Sequence, residues 1–174
     1  MKNDRLSQIE ENLKLLREQQ ASLEREALLT TGLPKTQAEQ RLRLEIKPKI
    51  RDYEVEYWQI LAHESAAETI AETIAEPEAE VIVAEIVESV GRLEAQQNDS
   101  AEISAEMMQV LLELRDKLNQ PTQPKTPAAI KVKWALSAMP PFVSLATEGE
   151  LDLENFWRTN FPTFRKWSKV LTKK

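Results

Sequence analysis

From residue 6 to residue 27 the chain places Leu6, Ile9, Leu13, Leu16, Gln20, Leu23 and Ala27 at gaps of three and four residues in strict alternation. An α-helix turns once in about 3.6 residues, so these positions share one narrow stripe while charged side chains occupy the other faces. Such a helix, expected over residues 4–29, is stable only when the stripe is buried against another helix. Gln20 puts a polar group into that seam, the kind of position that fixes register or strand number at some cost in stability.

The partner helix follows almost at once, after Thr30-Thr31-Gly32-Leu33-Pro34. Gly32 can take the left-handed conformation that closes a helix, and Pro34 blocks continuation. Thr36-Gln37-Ala38-Glu39 matches a capping box, and Leu42, Ile46, Ile50, Tyr53, Tyr57 and Ile60 then carry the helical period to about His63. So short a loop makes the two helices antiparallel, and Pro48 should bend or divide the second. Two heptad helices alone bury little apolar surface. Leu6, Ile9, Leu13, Leu16, Gln20, Leu23, Ile46, Ile50, Tyr53 and Tyr57 are therefore expected to join copies of the chain into a homo-oligomer.

Beyond the hairpin, residues 64–80 read as an acidic linker. Ala-Glu-Thr-Ile occurs at 67–70 and 71–74 and returns as Ala-Glu-Val-Ile at 79–82, with Pro77 interrupting. A four-residue period drifts around a helix and fixes no face, so 64–78 should be mobile. Over 81–118 helical spacing resumes, first at Val83, Ile86, Val87, Val90 and Leu93, then at Met107, Met108, Leu111, Leu112, Leu114 and Leu118, giving two helices able to pair. Residues 119–127 hold three prolines and no large apolar side chain and read as a second linker.

The remaining unit, 128–174, is aromatic and basic. Ile130-Lys131-Val132-Lys133-Trp134 alternates as a strand does, and Phe142–Thr147 could return beside it after a turn at Pro140-Pro141. Thr126-Pro127 equally suits a helix start, so 130–147 is open between a β-hairpin and a helix. Asp152 is placed to cap a last helix carrying Phe156, Trp157, Phe161, Phe164 and Trp167, divided at Pro162. Those rings, interleaved with basic residues, are either the core of a small unit or a docking face. Trp157, Arg158, Phe161, Arg165, Trp167 and Lys169 are the expected partner-binding residues.

Composition excludes much chemistry. With no cysteine, one histidine and three separate glycines, the chain lacks thiol chemistry, disulfides, multi-histidine metal sites and phosphate-cradling loops. His63 has no serine or cysteine motif beside it, and Glu68, Glu72 and Glu76 read as a solvated helical face rather than as metal ligands. No catalytic residue, metal or cofactor is expected. Charge is segregated: eleven basic and eleven acidic residues over 1–61, two against fourteen over 62–116, and six against Glu154 alone over 153–174. An acidic middle and a basic tail attract each other, within one chain or between chains. The opening MKNDRLSQIEEN lacks the apolar core of a leader. The longest uncharged stretch, Trp134–Thr147, has 14 residues, against about 20 needed to cross a membrane. A cytoplasmic protein is expected.

Two stretches carry a family resemblance. "NDRLSQIEENLKLLREQQASLEREALL" with "KPKIRDYEVEYWQILA", and "MPPFVSLATEGELDLENFWRTNFPTF", resemble effector-associated coiled-coil segments of cyanobacterial signalling and conflict proteins. Those segments sit beside caspase-like, trypsin-like or nucleotide-switch effector modules. The resemblance implies an adaptor or assembly role and no catalytic residues.

The fold expected is mainly α: a coiled-coil-like antiparallel helical hairpin (1–63), the acidic linker (64–80), a helical segment (81–118), the proline-rich linker (119–127) and a small α or α+β unit (128–174). The function expected is that of a non-enzymatic helical interaction protein, an adaptor that self-associates and docks a partner protein. The alternative is a peripheral membrane protein with residues 134–171 toward the lipid surface. A nucleic-acid accessory role ranks third, because a net charge of −6 and a pI near 5.1 oppose it.

Overall fold

In the computed structural model, which describes residues 2–96, 103–120, 126–148, 151 and 153–172, the heptad seam lies on one long helix, α1 (Lys2–Leu29). The chain reverses through Gly32, whose φ of +69° favours glycine, and continues as α2 (Leu33–Arg41), a π-helical turn (Leu42–Ile46) and α3 (Lys47–Glu64). Leu16 and Leu23 pack against Ala38, Leu42 and Ile46, with Ala27, Ile50 and Tyr53 at the margin. The Arg5 guanidinium grips both Glu56 oxygens at 2.7 and 2.9 Å. The beginning of α1 thus lies beside the far end of the second arm, and the arms run antiparallel. These contacts belong to a first compact unit, Met1–Tyr57.

Two local expectations are corrected here. Thr36 forms no capping box: Gly32 is the N-cap, no side chain caps the helix, and the Thr36 hydroxyl donates back to the Gly32 carbonyl at 3.2 Å. Pro34 sits in the first turn of α2, where a missing amide costs nothing because it would have no helical partner anyway. Pro48 does not divide the second arm either. The Lys47 amide donates five residues back to the Leu42 carbonyl, a widened turn placed directly before the proline. That turn gives room where the ring would otherwise crowd the carbonyl four residues earlier.

The second unit, Trp58–Lys174, starts inside α3, not after residue 63. It contains α4 (Ala67–Thr73), α5 (Glu76–Gln96), α6 (Ala105–Asn119), α7 (Ala128–Glu148), α8 (Leu153–Asn160) and α9 (Pro162–Thr172). Helix α7 packs on α4, α5 and α6, while α9 packs on α5 and α8. Among the described residues every regular element is helical.

The acidic linker expected at 64–80 instead holds α4 and the first turn of α5, with Ile70 and Ile74 buried. Drift of a four-residue repeat matters over many turns; over two turns Ile70 and Ile74 still share a face. The β-hairpin alternative for 130–147 is likewise overturned, because one helix runs through Pro140 and Pro141. Its buried residues from Val132 onward, Val132, Ala135, Leu136, Met139, Phe142, Val143 and Ala146, keep three-and-four spacing on both sides of the prolines. Burial of Phe142, Val143 and Ala146 beyond them offsets the lost amide bonds. Residues 121–125 of the expected proline-rich linker, and the expected cap Asp152, lie outside the described residues.

Helix ends in this unit are satisfied by distant side chains. Glu76 accepts the Ala128 amide at 2.6 Å at the start of α7. Lys133 donates to the Ala62 and Ser65 carbonyls at 3.2 and 2.8 Å, placing a cation at the carbonyl end of α3. Four residues apart on α5, Glu85 and Ser89 clasp the break between α8 and α9. Glu85 accepts the Thr163 and Phe164 amides at 3.1 and 3.0 Å, and Ser89 donates to the Asn160 carbonyl at 2.5 Å. Replacing Glu85 with alanine is expected to lower the stability of this unit by about 1–2 kcal/mol, the usual loss for a helix cap. Thermal melting followed by circular dichroism measures it, and Glu85→Gln should recover part of the loss.

Candidate interaction surface

The residues expected to join copies are spent inside one chain. Leu6, Ile9, Leu13, Leu16, Leu23, Ile46 and Tyr57 are buried, and Gln20, Ile50 and Tyr53 are half-buried. The seam closes on the second arm of the same hairpin, so a second copy is not what covers it. Gln20 bonds Glu24 one turn on, within α1 rather than across the seam. A polar contact that does cross, beside Arg5 with Glu56, is Arg17 with Glu54, whose carboxylate is 1% exposed. At the other end of the unit Glu56 holds the Arg5 guanidinium above its ordinary pKa by hydrogen bonding, as Glu94 does for Arg115 in the second unit.

The expected docking stripe is also corrected. Trp157, Phe161, Phe164 and Trp167 are buried. Trp157 lies 5.3 Å from Trp58, 5.9 Å from Phe142 and 5.5 Å from Phe156, centre to centre, and Phe164 stacks on Trp58 at 5.8 Å. Rings from α3 and α7 supply the cover that α8 and α9 cannot make alone. Arg165 is half-buried, bonded to Glu154 at 3.1 Å and set over the Trp58 ring. Of the six expected partner-binding residues only Arg158 and Lys169 are exposed. The same burial takes these rings away from a lipid surface.

His63, Glu68, Glu72 and Glu76 are exposed. Among the described residues no three acidic or histidine side chains are grouped to hold a metal ion, and no helix is long and apolar enough to cross a membrane.

What remains uncovered is concentrated at the hairpin tip. The Thr30 amide and hydroxyl both donate to the Glu26 carbonyl, finishing α1, and Gly32 turns the chain into α2. Leu28, Leu29 and Leu33 are left 86%, 78% and 68% exposed within six residues of one another. Arg25, Glu26 and Lys35 stand exposed beside them. Among the described residues the other exposed large apolar side chains, Leu15, Leu44, Val81 and Val170, are scattered singly, which is ordinary for a protein surface. The tip leucines were not among the residues picked out from the sequence. The signal was available: Leu28 and Leu29 follow Ala27, where the seam's spacing ends.

Searches of family models, of curated proteins and of solved structures return no match to this chain.

Proposed function

We propose that this chain is a non-enzymatic helical interaction protein that self-associates and docks a partner protein, with the hairpin tip as its contact surface. One observation carries the reading: a chain that buries its heptad seam and its aromatic stripe leaves three leucines together at the turn. Clustered exposed apolar residues mark contact sites, because water contact with them costs free energy that association recovers. Mixed charges around the tip suit a surface that meets another copy of a protein neutral over residues 1–61. An adaptor role in a signalling or defence assembly is what the family resemblance implies, and it agrees with a chain built to bring molecules together.

The triple change Leu28→Ser, Leu29→Ser and Leu33→Ser tests this. All three positions are exposed, so helicity and melting temperature should stay close to those of the parent chain. Sedimentation should show the parent assembling with rising concentration and the variant staying at monomer mass. Equal association by both proteins would remove the tip from the reading.

A further inference from the structure

The second unit carries a groove that matches the tip. Between α5, the end of α6 and the start of α7 lies a cavity of about 400 Å³, floored by Val83, Ala84, Val87 and Leu118. Glu80 and Glu88 stand on its rim, as does Lys131. Residues 80, 83, 84, 87 and 88 follow the helical period, so the groove runs along a single face of α5.

We infer that the tip of one copy seats in this groove on another copy, so that copies join head to tail. The inference rests on the reading of the tip as a docking surface and names what it docks into. Size is the first support. Removing one core leucine leaves a space of about 150 Å³, so a groove of about 400 Å³ takes two or three leucine side chains, the number the tip presents. Charge is the second. Arg25 and Lys35 flank the tip, facing a rim that carries Glu80 and Glu88, and Glu26 has Lys131 as its counterpart. The groove also lies in the stretch, residues 62–116, where acidic side chains outnumber basic ones fourteen to two. Donor and receptor are different surfaces, so every bound pair keeps one free tip and one free groove. Growth continues until a ring closes or a filament extends.

Two full-length variants decide it. One is the triple serine change at the tip; the other is Ala84→Arg, an exposed position where arginine suits a helix, fills the groove and repels Arg25 and Lys35. Each alone should sediment as a monomer, its association weakened at least about tenfold. Mixed in equal amounts they should form a heterodimer, because one supplies the intact groove and the other the intact tip, and growth should stop there. A mixture that stays monomeric would mean that the intact tip of one variant does not seat in the intact groove of the other, and the inference falls. Ala84→Arg assembling like the parent, while the tip variant does not, would overturn the groove and leave the docking tip standing. Should Ala84→Arg lose helicity, Glu80→Lys with Glu88→Lys takes its place. Its association should return on mixing with Arg25→Glu with Lys35→Glu, and failure to return would again overturn the groove.

Discussion

Trp157→Ala is expected to destabilise the second unit by about 4 kcal/mol, the ordinary loss when a large aromatic side chain is cut out of a packed core. Trp157 is 1% exposed and touches rings from α3, α7, α8 and the break before α9, so four elements lose a shared neighbour. For a unit of this size the melting temperature should fall by roughly 15 °C. Trp157→Phe should cost far less, about 1 kcal/mol, since the buried indole N–H has no hydrogen-bond partner among the described residues and phenylalanine gives up no bond. Lys169→Ala, on the exposed face of α9, should change stability by less than about 0.5 kcal/mol. Chemical denaturation of the three variants measures the series. Equal stabilities across it would return the rings to the surface.

In the first unit the largest loss is expected from Arg17→Ala, about 3 kcal/mol. Glu54 sits in the hairpin with its carboxylate bonded to the Arg17 guanidinium. A charge held out of water needs a partner, and removing one member of such a pair costs more than the pair contributed. Arg17 is 30% exposed, so solvent softens the penalty and the lower end of the range is appropriate. The double change Arg17→Met with Glu54→Leu should recover most of the stability by replacing the pair with apolar volume. Urea titrations of the single and double variants separate the two outcomes. A harmless Arg17→Ala would mean that Glu54 does not depend on the guanidinium.

The seam was legible because its information is local. Leu6, Ile9, Leu13, Leu16 and Leu23 follow the three-and-four rule without exception, and each is buried. What resisted reading was distributed. Gln20 reads as the register-setting polar residue, yet polar contacts across the arms come from pairs such as Arg17 and Glu54, thirty-seven residues apart. Glutamate density over 64–80 suggests a solvated linker, but Glu76 accepts the amide of a helix start 52 residues away, as Glu85 beyond the linker does for one 78 residues away. Alternation in Ile130-Lys131-Val132-Lys133-Trp134 imitated a strand; counting Ala135 and Ala146 as apolar restores the helical spacing across the prolines. The aromatic stripe could be seen, but whether it faced inward depended on Trp58 and Phe142, which no local pattern ties to it.

The clasp at the break between α8 and α9 has a consequence in time. Helices of eight and eleven residues are too short to persist in water by themselves. On a ribosome, α5 is complete while α8 and α9 are still unmade, so its Glu85 and Ser89 are in place before the backbone groups they bind arrive. The two short helices then order as one event with the closing of the aromatic core, not as independent segments. Their amide protons should accordingly exchange at the pace of whole-unit opening, where helices this short would ordinarily fray first.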